Sequence, residues 1–588
     1  MIQGNISKKD DGLKRKHISY LLLFIIIVLT LGRIVYSFIY LKEDYHSDEM
    51  WSYGLSNSYF QPFIHMTADH ETLTNHYEWL SSDVLKSYLT VDKTQRFAYD
   101  SVYFNQVHDY HPPFYYYVLH TICSFFPGKF SLWYGFAINL VAFVFTIVFF
   151  YKLLFELSKK DVVALVGCAF YGFSIGAVNN FVFIRMYSVV TMFSVILLYL
   201  HSRLLQNQKY LIPVFLITVL GALTHHFYIP FAGCIALCFC VYYLKNKQIK
   251  LLVIYALTML SAVGVSLLLF PETIDHLFSG RINDAKYPFV WQFTMSWSCV
   301  LSGILGINLK NGSSFSYIAV LIVIACLVLI ISPLFFLFRK EIWFKKSIEA
   351  SKQFVNNLIN KIKNTNVVIV SMLVSAFGIV LLTSLTVSLM NMGSNTDRYL
   401  FIIFPCVSAS FVLFVSMITS SIKKYGRIIF SLICAVFCIM SNVFGTANYY
   451  FKKPDNAVSL QETITGANCV YICDLPWLMT CFTRVAMDSE NFYASVSYDL
   501  EEIIREMPDP PENSKPLYYV VHSESFFKEK MNGVIDNNQF SVTTSKIDRS
   551  EKIKKEDFED ALRHRYNKCE YIGLDTMFER EYEIYRVK

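Results

Sequence analysis

Residues 112–126 read Pro-Pro-Phe-Tyr-Tyr-Tyr-Val-Leu-His-Thr-Ile-Cys-Ser-Phe-Phe, and whether they cross a bilayer decides how the rest of the chain is threaded. The stretch is apolar enough to enter a membrane, and Pro112 and Pro113 suit the first turn of a helix. As a helix, however, it reaches only about 22 Å, against a hydrocarbon core of roughly 30 Å. Other apolar runs, most of them longer, surround it, at 18–41, 132–154, 162–184, 187–201, 211–224, 227–244, 251–270, 317–338, 367–390, 399–420 and 428–443. They account for a hydrophobic fraction of 54% with only 17% charged residues, where soluble domains carry about 25% charge.

Charge places the short run. If 112–126 stays on one face, then Lys152, Lys159, Lys160, Arg203, Lys209, Lys245, Lys247, Lys250, the stretch from Arg339 to Lys363, and Lys423, Lys424 and Arg427 all share the side of the N-terminal Lys8, Lys9, Lys14, Arg15 and Lys16. That is the cytoplasmic side by the positive-inside bias. Counting it as a crossing would move every one of these clusters outside. The expected fold class is therefore a polytopic α-helical membrane protein of about eleven crossings, with a small extracytoplasmic α/β domain at the C-terminal end. The expected organisation is a cytoplasmic segment at 1–17, whose following run reads as a retained signal-anchor, and a transmembrane domain at 18–447. Within that domain lie an outer loop at 42–131, a second at 271–316, and a basic amphipathic cytoplasmic stretch at 339–366. The α/β domain occupies 448–588, where apolar strand and helical segments alternate at 470–473, 477–486, 500–507, 517–522, 526–535, 570–574 and 582–587, with a loop at Asp509-Pro510-Pro511.

The net charge of +6 is spread in short clusters between apolar runs, which orients a membrane protein and excludes a nucleic-acid-binding stripe. Most of the 14 cysteines, among them Cys168, Cys234, Cys238, Cys240, Cys326, Cys434 and Cys438, sit inside apolar runs. There they act as small packing residues, and neither a zinc pattern nor a disulfide framework is evident. No internal repeat is found.

Three groups of polar residues on the outer side are out of place. Asp48-Glu49 follows the first apolar run; it reads either as a solvated acidic loop or as a general base able to take a proton from a hydroxyl. Arg33, Arg185 and Arg398 oppose the orientation bias, and one of them, Arg33, lies within a run. Snorkelling to headgroups accounts for each singly. Several on one face suit a bound anion, which guanidinium can grip with paired hydrogen bonds. His108 and His111 flank Asp109, and His225-His226 close another run. Hydrogen bonding to a sugar or phosphate, or interfacial packing, explains them better than a metal, because their spacing matches no zinc pattern.

The order of these features carries more than any one of them. Asp48-Glu49 after the first run, Asp109-Tyr110-His111-Pro112-Pro113-Phe114-Tyr115-Tyr116 closing the first outer loop, Arg185-Met186-Tyr187 opening the fourth run, Thr224-His225 ending the fifth, and Arg398-Tyr399-Leu400 with Pro405 follow one another. In this the chain resembles the GT-C superfamily of membrane glycosyltransferases. It is most similar to the bacterial relatives of the dolichyl-phosphate-mannose–protein mannosyltransferases and to the aminoarabinose transferases of lipid A. The resemblance covers about residues 18–420 and leaves the tail aside. It implies Asp48 as catalytic base with Glu49 its partner, and Asp109, His111, Pro112 and Tyr115 shaping the substrate site. It also implies Arg185 and Arg398 near a lipid phosphate and His225 at its helix end; Tyr187, Tyr399 and Arg33 are placed with the two arginines as expected phosphate-site residues on their own position in the sequence. The short helix after His111 is interfacial in such proteins. Phe114 departs from the commoner Leu, and the tail looks particular to a subgroup, which leaves the acceptor open.

What the resemblance implies is transfer of a hexose or pentose from a polyprenyl-phosphate donor to an acceptor hydroxyl of a glycan, lipid or protein, on the outer face and with inversion. No cofactor is required by this reading. If a divalent cation takes part, Glu49, His108 and His111 are the residues that could hold it. The lipid bilayer is the remaining partner, and nucleic acid is none. Three other readings stay open: a transporter of lipid-linked glycans or polysaccharides, a ligase or polymerase of preassembled glycans, and a non-enzymatic sensor using the tail. A transporter usually carries a repeat or a charged intramembrane seam, and neither is seen here. The Lys-, Ile-, Asn-, Tyr- and Phe-rich usage is associated with bacteria of AT-rich genome.

Overall fold

The computed structural model describes residues 2–65, 78–278, 288–307, 366–386, 393–420, 425–473, 475–496, 500–523, 527–531, 547–552, 554–578 and 580–588. The expected run at 317–338 and nearly all of 339–366 lie outside them. The described residues form a multi-pass helical membrane protein with a sheet in its C-terminal region. They divide into two compact units, one of Met1–Val35, Asn139–Phe181 and Met186–Asn448, the other of Tyr36–Ile138, Val182–Arg185 and Tyr449–Lys588.

Eight helices among the described residues, most of them wholly within the first unit, are long and apolar enough to cross a bilayer, and a bent pair makes up to nine. The pair is Asp161–Gly172 with Ile175–Val182, which meet at 60°, where a single run was expected at 162–184. A break frees backbone groups that lipid cannot satisfy, and here side chains from elsewhere in the unit answer them. Arg33 and Asn442 donate to the Phe173 carbonyl, the latter at 2.9 Å. The Ile175 amide donates to Ser441 Oγ at 3.0 Å. A further apolar helix, Phe289–Leu305, occupies part of the expected second outer loop. It ends on Gly306, whose φ of +71° is open to glycine, with Ile307 N bonded back to the Leu301 carbonyl at 3.2 Å. Helices come close where side chains are absent: a Cβ on Gly176 would lie 2.7 Å from the Phe404 ring and 3.0 Å from the Gly303 carbonyl.

The second unit is built on a six-stranded sheet. Its strands, in chain order, are β1 (Leu80–Ser81), β2 (Asn468–Cys473), β3 (Asn491–Val496), β4 (Leu517–His522), then β7 (Cys569–Met577) and β8 (Arg580–Val587); β5 (Phe527–Met531) and β6 (Ile547–Lys552) form a separate pair. The order is β1-β3-β2-β4-β8-β7, with β3, β2 and β4 parallel and the others antiparallel. Every residue of β2 is buried, as expected of a central parallel strand covered on both faces. Val470 and Ile472 point to a core with Tyr519, Val521, Leu500, Ile504, Phe558 and Leu562. On the alternate positions Tyr471 stacks on Phe482 of the Met479–Ala486 helix, ring centres 4.1 Å apart. The edge strand β1 comes from the expected first outer loop, with Leu80 opposite Phe492 and Ser81 opposite Asn491. The unit also holds the Ser47–Asn57 helix and, packed beside it, the eleven-residue Phe114–Ser124 helix, which at about 16 Å is well short of a crossing.

Candidate functional site

Asp48 and Glu49 stand in the first turn of the Ser47–Asn57 helix, where acidic side chains complement the unsatisfied amides. The N-cap is His46: its Nδ1 accepts from Asp48 N at 3.0 Å, while Glu49 Oε2 accepts from His46 N at 2.9 Å. This is a capping box with histidine in place of the usual Ser or Thr. Because His46 Nδ1 is an acceptor there, it brings no proton to Asp48 Oδ1, 3.5 Å away.

The two carboxylates have different surroundings. Glu49 is fully buried, and both of its oxygens are taken. Oε1 pairs with Lys42 Nζ and accepts from Ile184 N at 2.8 Å, while Oε2 holds His46 N. Burial pushes the Lys42 ammonium down from its ordinary pKa against the pull of Glu49, and Nζ donates also to the Val182 carbonyl at 3.1 Å. Glu49 thus ties the segment Val182–Arg185 to the start of the helix. Asp48 is buried to a side-chain exposure of 11%. Its backbone carbonyl accepts from Arg185 Nη1 at 3.1 Å, and the same nitrogen reaches Ser52 Oγ at 3.2 Å.

Arg185 is the hub of the cluster. Besides Asp48 and Ser52 its guanidinium lies over the Tyr116 ring at 5.7 Å, and Nη2 comes within 3.5 Å of His111 Nδ1. The last contact joins two donors, because His111 Nδ1 already gives its proton to Asp109 Oδ2 at 2.8 Å. Burial raises the Asp109 carboxyl, but His111 and Arg185 outweigh it and hold the group below the ordinary carboxylate range. Burial and Arg185 together hold His111 below its ordinary value against the pull of Asp109. A neutral ring with Nδ1–H on a carboxylate puts the basic lone pair on Nε2, the arrangement of an oriented general base. Pro112 is buried, Pro113 caps the next helix, and Tyr115 packs edge-on to Tyr116, ring centres 5.6 Å apart.

The other expected residues fall elsewhere. In the helical unit, Tyr187 packs against His225 with ring centres 5.3 Å apart, and edge-on to Tyr399 at 6.2 Å. The Arg398 guanidinium lies 5.2 Å from the Tyr399 ring centre. Tyr187, His225, Arg398 and Tyr399 are therefore gathered into one aromatic, cationic group. Arg33 serves the helix break described above. His108 turns Nδ1 to the Phe104 carbonyl of its own helix at 2.9 Å. With both Glu49 oxygens engaged, the three residues named for a divalent cation are not assembled as ligands. Among the described residues no group of three His, Cys, Asp or Glu side chains is set to hold an ion.

No family model matches the chain, and no curated protein does. Among solved structures it is similar to ArnT from Cupriavidus metallidurans in the apo state, with a TM-score of 0.45 and 10% identity over 97% of this chain and 98% of that one. For the same protein bound to undecaprenyl phosphate the TM-score is 0.39, with 10% identity over 92% and 96% of the two chains. It is also similar to the archaeal oligosaccharyltransferase AglB from Archaeoglobus fulgidus in complex with an inhibitory peptide and a dolichol-phosphate. There the TM-score is 0.43, at 10% identity over 87% of this chain and 70% of that one. These are likenesses in the course of the chain only.

Sequence reasoning missed Lys42, His46, Ser52 and Tyr116. Lys42 had a signal, an ammonium just past a membrane run and seven positions before an acid. A histidine cap has none, since Ser, Thr, Asp and Asn are the residues that mark helix starts.

Proposed function

We propose that the chain is a membrane glycosyltransferase of the GT-C type that moves a sugar from a polyprenyl-phosphate donor to an acceptor hydroxyl on the outer face of the membrane. The N-terminus lies in the cytoplasm and 448–588 outside. The observation that carries the reading is the Asp48 cluster, a nearly buried carboxylate whose backbone is gripped by Arg185, with the Asp109–His111 pair at the same arginine. Asp48 takes the proton of the acceptor hydroxyl as that oxygen bonds to the anomeric carbon. The bond from that carbon to the phosphate oxygen breaks on the opposite side, the configuration inverts, and polyprenyl phosphate leaves as the anion. Arg398 meets the phosphate charge, with Tyr187, Tyr399 and His225 around it. Arg185 acts as a positioning residue that fixes the turn bearing Asp48.

The Asp109–His111 pair supports a second assignment of the base, to His111 Nε2. Polyprenyl phosphate released by the purified full-length protein, given a lipid-linked monosaccharide and candidate acceptors, tests both. Asp48→Asn is expected to lower turnover by about 10²–10⁴ while His111→Gln lowers it less. Full turnover in Asp48→Asn with loss in His111→Gln moves the base to His111, and full turnover in both overturns the cluster as the catalytic site. Substrate movement without released polyprenyl phosphate would indicate a transporter, and consumption of preassembled glycan alone a ligase.

A further inference from the structure

Asp48 has aromatic company that the reaction above leaves unused. Trp51 lies three positions further along the same helix, where side chains are neighbours. Its ring meets Trp477, with ring centres 6.1 Å apart. Trp477 belongs to the 3-10 turn Pro476–Leu478, shortly after β2, and the Met479–Ala486 helix that follows packs on the Ser47–Asn57 helix. Trp477 also meets Phe578 at 6.4 Å, and Phe578 packs edge-on against His46 at 4.0 Å. His46 Nδ1 is 3.5 Å from Asp48 Oδ1. The contacts therefore run from Asp48 through His46, Phe578, Trp477 and Trp51 and return to the helix they left. Trp51, Trp477 and Phe578 each keep part of their surface open, and the Arg580 guanidinium lies 5.2 Å from the Trp477 ring centre.

The placing of Phe578 is unusual. It opens the two-residue loop between Met577 and Arg580 with a φ of +53°, where Asn, Asp or Gly is the usual choice. A bulky residue keeps that conformation only where its surroundings hold it, and here its amide donates to Asp44 Oδ2 at 3.0 Å. Two indoles and a phenyl ring are thus left partly open beside a carboxylate and a guanidinium. Aromatic surface with a few convergent polar groups is the make-up of a ligand site. Chemistry selects the occupant. An acyl chain has no hydroxyl for Asp48, and a Ser or Thr side chain is too small to cover rings of this extent. A pyranose has both parts: a slightly positive C–H face that suits the negative face of an indole, and hydroxyls around its edge for the carboxylate and the forked guanidinium.

We propose that Trp51, Trp477 and Phe578 form a platform for a sugar ring of the acceptor, with Arg580 donating to its hydroxyls, so that the acceptor is a glycan. The proposal rests on the reading of Asp48 as the base for an acceptor hydroxyl and adds the class of molecule that bears it. Trp477, Phe578 and Arg580 come from the C-terminal region, whose part in the reaction is then to recognise the acceptor.

The test is binding of fluorescent oligosaccharides of glucose, galactose, mannose and N-acetylglucosamine to the full-length protein in nanodiscs free of glycoside detergent, with peptides containing serine and threonine as the comparison. Saturable binding of at least one oligosaccharide series is expected. Trp477→Ala should weaken it at least about tenfold, and Trp477→Phe should keep most of it. Phe578→Asn should weaken it about threefold or more. Asn suits the left-handed turn better than Phe, so that loss is not misfolding of the hairpin. Asp48→Asn should bind as the wild type does. With the bound oligosaccharide as acceptor, Trp477→Ala should act mainly on KM and Asp48→Asn on kcat. No binding of any oligosaccharide, wild-type affinity in folded Trp477→Ala and Phe578→Asn, or peptide binding with the same dependence on Trp477 would each overturn the proposal. Oligosaccharide binding that depends on Trp477, without release of polyprenyl phosphate, would uphold the platform and overturn the transferase reading instead.

Discussion

Replacing Glu49 by Gln removes one negative charge from a fully buried position whose partner, Lys42, has a side-chain exposure of only 4%. Breaking a buried pair by deleting one member costs about 3–5 kcal/mol, because the other charge is stranded. A second route to the figure starts from Lys42. The ammonium can escape by losing its proton, which between an ordinary pKa of about 10.4 and pH 7 costs about 4.6 kcal/mol at about 1.36 per unit. Burial has already lowered the Lys42 pKa, so this is a ceiling. Gln also keeps one acceptor oxygen for either Ile184 N or His46 N and leaves the other amide without its carboxylate oxygen. A net loss of about 3–4 kcal/mol corresponds to a fall in Tm of about 6–16 °C for a unit of this size. The assay is thermal melting of the full-length protein at pH 7, with Lys42→Met/Glu49→Gln as the control that removes both charges and should recover most of the loss. The deficit of Glu49→Gln should shrink as pH rises towards 10, where Lys42 sheds its proton at less cost. An unchanged Tm with lost turnover would refute the reasoning and return Glu49 to the chemistry.

Arg185→Lys keeps the charge but loses the planar group that lies over the Tyr116 ring while one of its nitrogens holds Asp48 O and Ser52 Oγ. Turnover should fall about tenfold to a hundredfold with a smaller change in KM, and an effect on KM alone would make Arg185 a phosphate ligand instead. Arg398→Ala should weaken binding of the polyprenyl-phosphate donor about tenfold or more, and unchanged affinity would remove it from the phosphate. Burial pushes the Asp44 carboxyl up to about 7, so the fold prefers its protonated form. The stability it contributes is fully present below its unfolded value of about 3.9 and is lost as pH rises through about 7. Asp44→Asn should flatten that part of the dependence of Tm on pH and raise Tm above pH 7, while still accepting from Phe578 N, now at 3.0 Å. A pH dependence identical to the wild type would exclude Asp44 as its source.

The membrane helices were legible because a run of about 20 apolar residues has few alternatives to spanning a bilayer. The break between Gly172 and Ile175 was not, because hydropathy does not report geometry. What makes the break tolerable are Arg33, Ser441 and Asn442, far away in sequence. Phe289–Leu305 was hidden by Gln292, Ser296, Ser298 and Ser302, which lower its contrast with a polar loop yet are all buried in the structure. In the tail, β2 and β4 announced themselves as apolar runs. β1, at two residues, is set by its neighbour β3 and carries no pattern of its own. The site divided in the same way. Asp48, Asp109, His111 and Arg185 could be named from the sequence, but not that the arginine would grip the backbone of the acid, since that contact depends on how Val182–Arg185 meets the helix.

The pairing of Leu80–Ser81 with Asn491–Phe492 is a statement about parity. Two strands joined by backbone hydrogen bonds lie on one side of a membrane, so the chain between Ser81 and Asn491 crosses it an even number of times. The ten crossings expected between them satisfy that condition. A lone additional crossing, whether at 112–126 or at Phe289–Leu305, would put the strand and its sheet on opposite faces. A ladder two residues long therefore constrains about 400 residues of threading, and any change that adds or removes a single span has to break it.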